Sequence, residues 1–184
     1  MDFGAAMFFT DYSMTPVELG QALEARGFES VWAPEHSHIP STRKTPPASG
    51  GELEKRYYDV MDPFVTLTAA AMATKTLKVG TGVCLVIQRD TIQTAKLVAT
   101  IDHVSGGRFL FGVGGGWNQD EIEDHGTVFN RPHNFVGTDE VGQHPEAALD
   151  RLATTRIPTA SSQAPQIWCA LGCKGPRRKL STAC

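Results

Sequence analysis

Four times between Met1 and about Phe129 a short apolar, strand-like run gives way to a capped helical segment, and this alternation constrains the fold more than any other feature of the 184-residue chain. It points to an α/β architecture with parallel strands, because a helix must carry the chain back over the sheet before the next strand can lie beside the last. The first strand is read over Phe3 to Phe9. Thr15, Pro16 and Glu18 follow as N-cap, N1 proline and capping-box acid, with Gly27 as the stop. A second strand, Ser30 to Ala33, opens into a long polar loop through Pro46, Pro47, Gly50 and Gly51, after which Asp62 and Pro63 start the second helix. The third strand is read as continuous from Leu77 to Val86, with Asp90 and Gln93 capping the helix that Gly106 and Gly107 end. The fourth, Arg108 to Val113, runs into Gly114, Gly115, Gly116 and Trp117, and Asn118 with Glu121 offers one more capping box, for a helix ending near Gly126.

The units begin near residues 3, 30, 77 and 108. Short right-handed crossovers of this kind suit a doubly wound sheet or a β/α barrel, and a complete barrel takes about 250 residues and eight units. Four βα units over residues 1–129 are half of such a TIM-type barrel, or part of a doubly wound sheet, and the unit count leaves both open. From 130 to 184 the periodicity stops among scattered prolines. No strand is expected there, one short helix is read at Glu146 to Leu152, and little order is expected otherwise. A Pro, Ala, Arg, Ser and Cys bias in this tail suits either a flexible extension or translation of a neighbouring reading frame.

Composition narrows the function. With 41% hydrophobic residues a packed core is expected, and 17 basic against 20 acidic residues leave a charge of −3, too weak and mixed for a nucleic-acid footprint or a membrane-surface patch. Small-molecule chemistry remains. The first residues lack a basic n-region, and no apolar run reaches the length of about 18 that a membrane span requires, so a cytoplasmic protein is expected. Cys84 lies in an apolar run while Cys169, Cys173 and Cys184 crowd the last sixteen residues, which is neither a secreted disulfide framework nor a complete zinc ligand set.

Both glycine runs fail the dinucleotide fingerprint, since Leu85 and Trp117 stand where its third glycine is required. Glycine at the carboxyl end of a strand still allows close backbone approach to a flat ligand, or a sharp turn. Glu35, His36 and His38 follow the second strand on the same rim. His36 reads equally as a satisfied structural histidine or a cofactor contact, and His36 with His38 suggests a metal-dependent hydrolase, though no further ligands complete the set. His103 and His125 read as surface or helix-end groups, and Trp117 as a packing anchor or a substrate platform. No G-x-S-x-G turn provides a nucleophile elbow.

SVWAPEH after the second strand, LKVGTGV in the third, and DTIQTAKLVATIDHVSGGRFLFGVGGGWNQDEIEDHG through the fourth together resemble the luciferase-like monooxygenase superfamily, most closely its deazaflavin-dependent branch. The likeness covers about Met1 to Phe129, and GWN-x-x-E is its most specific part. It implies a β/α barrel that binds coenzyme F420, or alternatively FMN, at the carboxyl ends of its strands. It implies hydride transfer between that ring and an organic small-molecule substrate, or a monooxygenase reaction. Glu35 and His36 match the acid and histidine that place the ring, although the deazaflavin branch more often has Asp at the first position. His36 is the candidate catalytic group. Gly82 and Val83 match a non-proline cis peptide that buttresses the ring, and Gly114 and Gly115 supply backbone beside it. No metal site is implied. Because nothing from Asn130 onward matches the later strands, a competing expectation is a non-catalytic half-barrel that self-associates through its open sheet edges.

Overall fold

The computed structural model describes residues 2–47 and 50–129, and the backbone of a strand at 166–169. In chain order the elements are β1 (Gly4–Ala6), α1 (Pro16–Ala25), β2 (Ser30–Ala33), α2 (Lys55–Tyr58), α3 (Pro63–Met72), β3 (Lys78–Thr81), β4 (Cys84–Leu85), a 3-10 turn at Val86–Gln88, α4 (Thr91–Ser105), β5 (Phe109–Gly114), α5 (Gln119–Asp124) and β6 (Gln166–Cys169). Three of the four helix starts form as read. The Glu18 N–H donates to Thr15 Oγ1 at 3.2 Å and the Thr15 N–H to Glu18 Oε2 at 3.0 Å. Asp62 Oδ1 accepts from the amides of Phe64 and Val65, and Asp90 Oδ1 from that of Gln93. The fourth is corrected: Asn118 makes no side-chain cap bond, and Glu121 points away from it to another part of the fold.

The sheet is parallel, ordered β1-β2-β3-β5, with β4 on the far end of β5. The expected third strand is one line of chain broken in two. β3 pairs with the start of β5 and β4 with its end, and between them the register offset falls from 30 residues (79 to 109) to 29 (84 to 113). One extra residue is therefore inserted on the β3–β4 side, which makes a bulge. The Gly82–Val83 peptide bond at that place is cis, as the family resemblance implies.

The tail departs from expectation. β6 lies parallel on the free side of β5, from Leu110 opposite Gln166 to Val113 opposite Cys169. A strand after Phe129 was not expected, and an open edge beside β5 was; both are corrected. Ile167 and Trp168 are strand formers, but four residues behind a proline are too few to show a period in a proline-rich background. The exposed amides and carbonyls of β5 give them a partner. The helix read at Glu146 to Leu152 lies outside the described residues.

The core lies between the sheet and its helices. Val31, Val79, Phe109, Phe111 and Val113 face Leu19 and Leu23 of α1, Phe64 and Leu67 of α3, and Val98 and Ile101 of α4. Phe64, Phe109 and Phe111 stack with centroids 6.0 to 6.4 Å apart. The opposite face, the inside of the partial barrel, is built of small residues under one large one. Trp32 lies across Gly80, where a Cβ would come within 2.6 Å of the indole, and reaches to 3.7 Å from the Cβ position of Gly112. Among the described residues no helix is long and apolar enough to cross a membrane.

β3 is led in by a turn that one carboxylate organises. Glu24 Oε1 accepts the amides of Lys75, Thr76 and Leu77 at 2.6 to 3.0 Å, together with the Thr76 hydroxyl. The amides of Thr76 and Leu77 lower the Glu24 pKa most, to about 2 from an ordinary 4.5. Because the folded state holds this group ionised at a pH where the unfolded chain would protonate it, the stability it contributes is complete above pH 4.5 and is lost as the pH falls towards 2. Glu24→Gln should therefore be less stable than the parent at neutral pH, with the difference closing across that window in urea melts followed by circular dichroism.

Candidate active site

Three strand ends meet on one rim. The chain leaving β2 passes through Glu35, His36, Ser37 and His38; the bulge carries Gly82 and Val83; and β5 ends in Gly114, Gly115, Gly116 and Trp117. Gly82 is exposed and Val83 half-buried, so this peptide edge is open to the rim. Val83 packs on Gly114 so closely that a Cβ there would lie 2.7 Å from Val83 Cγ2, which ties the bulge to the end of β5. Gly116 turns at φ +83°, with Leu85, Ile122 and Gln88 around it.

Glu35 is buried and fully engaged. Its Oε2 accepts the Leu85 amide at 2.6 Å, and its Oε1 is paired with Arg89, whose guanidinium also reaches Asp62 Oδ2 at 2.7 Å. The acid matched to the ring thus binds the end of β2 to β4 and to the start of α3. Cys84 is shut in beside it; burial first, and then the Glu35 charge, push its thiol pKa well above the ordinary value. A thiol so disfavoured as thiolate is inert.

His36 has a side chain only 6% exposed, and its Nδ1 lies 2.7 Å from Oε2 of Glu121, which is itself completely buried. The other carboxylate oxygen, Oε1, accepts the Ser37 amide at 2.8 Å. Rings close around the imidazole, with Tyr57 of α2 at 5.5 Å and Trp117 at 5.7 Å, both edge-on, and with Phe8 packed on Tyr57 at 4.9 Å. Trp117, half-buried, is part of this wall. Asp120 fastens the long loop after β2 beside the site, accepting the amides of Lys44 and Thr45 at 3.1 and 3.0 Å and the Thr45 hydroxyl at 2.6 Å. The Thr45 hydroxyl is the main cause of a lowered Asp120 pKa.

His36 and His38 do not converge. His38 turns out to Asp124 Oδ2 at 3.0 Å and to the His125 ring at 5.6 Å, and among the described residues no group of three or more His, Cys, Asp or Glu could hold a metal ion. The paired-histidine hydrolase reading is therefore corrected. His125 does sit at a helix end, but it is no bystander, because its Nε2 lies 2.7 Å from Ser37 Oγ. His103, exposed on α4, fits its surface reading. In the sequence Glu121 reads as a capping acid, and no local pattern marks Arg89 or Tyr57. The one available signal for Glu121 was its place in GWN-x-x-E, next to a buried Ile122.

Comparison with known proteins identifies the family of the chain. The family model described as luciferase-like monooxygenase matches residues 14–149. An uncharacterized protein of Mycobacterium tuberculosis is 40% identical over 139 residues, covering 74% of this chain and 49% of its own, so the chain spans about half the length of the curated relatives it matches. Among solved structures, a monooxygenase from Streptomyces bottropensis superposes with a TM-score of 0.68 at 19% identity, over 92% of this chain and 53% of the other. The coenzyme F420 dependent tetrahydromethanopterin reductase of Methanopyrus kandleri does so with a TM-score of 0.51 at 25% identity, over 82% and 38%. A family match across most of the chain, a parallel sheet with a bulge in its third strand line, and a histidine clamped at the rim lead to one assignment: this chain belongs to the luciferase-like monooxygenase family.

Proposed function

We propose that the chain carries the ring-binding half of an oxidoreductase that passes a hydride between a bound deazaflavin, coenzyme F420, or alternatively FMN, and an organic small-molecule substrate. The observation that carries this reading is the buried His36–Glu121 pair set on the same rim as the open Gly82–Val83 edge. The rim suits a flat ring: backbone is exposed at Gly82, Val83 packs behind it, and Gln88 Nε2 is a buried donor without a partner among the described residues, 3.7 Å from the Cβ position of Gly116. Gly82, Val83, Gly114 and Gly115 would hold the ring by backbone, His36 would offer it or the substrate a hydrogen bond, and Glu35 would act indirectly by holding β4 in place. The bound ring would supply the hydride chemistry. The chain's own part would be to orient its reactants, exclude water with Tyr57 and Trp117, and accept a proton at His36. The likeness to a coenzyme F420 dependent reductase, at 25% identity, supports the deazaflavin.

Adding either cofactor to the folded chain should perturb its absorbance or fluorescence. His36→Ala should weaken that binding by about three- to tenfold, the effect of losing one hydrogen bond worth about 0.5–1.5 kcal/mol net. The matched control is His103→Ala, since His125 is wired to Ser37 and cannot serve. Unchanged spectra at millimolar cofactor would sink the binding reading and leave the second one, a non-catalytic half-barrel. That alternative draws support from the inner face, where Trp32 and Lys78 remain half-exposed.

A further inference from the structure

We infer that Glu121 is a positioning residue that fixes the tautomer of His36, holding the proton on Nδ1 so that Nε2 faces the site as a proton acceptor. Glu121 is 0% exposed, and its two oxygens look at two different partners: Oε1 at the Ser37 amide and Oε2 at His36 Nδ1. No lysine or arginine pairs with it among the described residues; His36 is its one partner of that kind. A carboxylate can only accept, and its other oxygen is already taken by the Ser37 N–H, which can only donate. The 2.7 Å contact then requires a hydrogen on Nδ1. Neutral histidine otherwise prefers its hydrogen on Nε2, so the protein has selected the less common form. Nε2 has no hydrogen-bond partner among the described residues, and the edges of Tyr57 and Trp117 limit rotation of the ring. His36 is thereby kept as an acceptor at Nε2.

The geometry makes the isosteric variant informative. In Glu121→Gln the amide oxygen takes the Ser37 N–H, which leaves the amide NH2 facing Nδ1. A donor there turns Nδ1 into an acceptor and drives the imidazole hydrogen to Nε2, so a change of one oxygen to nitrogen inverts the histidine.

That His36 acts on substrate or ring rests on the proposed oxidoreductase reading, whereas its tautomer does not, and the experiment separates the two. Two-bond nitrogen–proton correlation spectra of the full chain, labelled with 15N-histidine and recorded where the imidazole is neutral, report which nitrogen carries the hydrogen. His36→Ala assigns the signal. The wild-type chain should show His36 with Nδ1 protonated, and Glu121→Gln should reverse the tautomer ratio by about tenfold or more, because a charge-assisted bond is replaced by one of opposite sense. His36 protonated mainly on Nε2 in the wild type would overturn the inference without any variant, so a Glu121→Gln that fails to fold does not shelter it. A folded Glu121→Gln that leaves the tautomer unchanged would also overturn it. If the tautomer inverts as expected while neither FMN nor coenzyme F420 perturbs the spectra, the positioning role stands and the redox reading falls.

Discussion

Arg89→Ala is expected to lower the stability of the fold by about 3–5 kcal/mol, the usual cost of removing one partner of a buried ion pair and leaving the other charge uncompensated. Glu35, with a side chain 4% exposed, would lose its guanidinium, and Asp62, which caps α3, would lose the same partner. A typical domain is stable by only about 5–15 kcal/mol, so a large share of the folded population is at stake. The check is the urea midpoint followed by circular dichroism. The double variant Arg89→Met with Glu35→Gln should recover much of the loss, because it removes the stranded charge as well as the pair. A single variant within about 0.5 kcal/mol of the parent would show that Glu35 is neutralised or hydrated by other means.

The second large effect is expected at Gly112. A Cβ at this position would stand 2.2 Å from the carbonyl oxygen of Thr81, and the obstacle is backbone, not the end of a side chain. The two strands cannot separate to admit it, because Thr81 Oγ1 donates to the Gly112 carbonyl at 2.8 Å and accepts the Gly112 amide at 3.0 Å. Gly112→Ala should cost about 3 kcal/mol, the upper end for an overpacked core. Gly106→Ala is a useful contrast. It has φ +69° but no described residue within 4 Å of its Cβ position, so it meets only the backbone penalty, about 1–2 kcal/mol. Thermal melts of the two variants side by side decide whether steric room or backbone conformation dominates. Equal losses would refute the packing argument at Gly112.

Much of the scaffold was legible because its signals are local. Thr15-Pro16 with Glu18, Asp62-Pro63 and Asp90 with Gln93 each name a helix start within four residues, and each forms its bond. Local signals also mislead. Asn118 and Glu121 have the same spacing as the working caps, yet the carboxylate is drawn across the rim to a residue 85 positions earlier. A buried carboxylate bonded to both an imidazole and an amide is better satisfied there than on a single helix-end N–H. β6 was missed for a related reason. Its four residues carry too little pattern by themselves, and it is the unpaired edge of β5, more than fifty residues away in sequence, that gives them a place.

By itself, then, the sequence determined the alternation of strands and helices, the caps, the rim on which the glycines and His36 lie, and the family resemblance. All of these are written in residues close together along the chain, where propensity and period operate. Only the tertiary structure decided what each rim residue is for. Glu35 is consumed by Arg89 and Leu85, His36 is clamped by Glu121, His38 turns outward, and His125 joins Ser37. These pairings depend on which buried charges and donors meet when distant segments pack. A buried polar group must find a partner wherever the fold brings one, and neither its own residue type nor its near neighbours say which partner that will be.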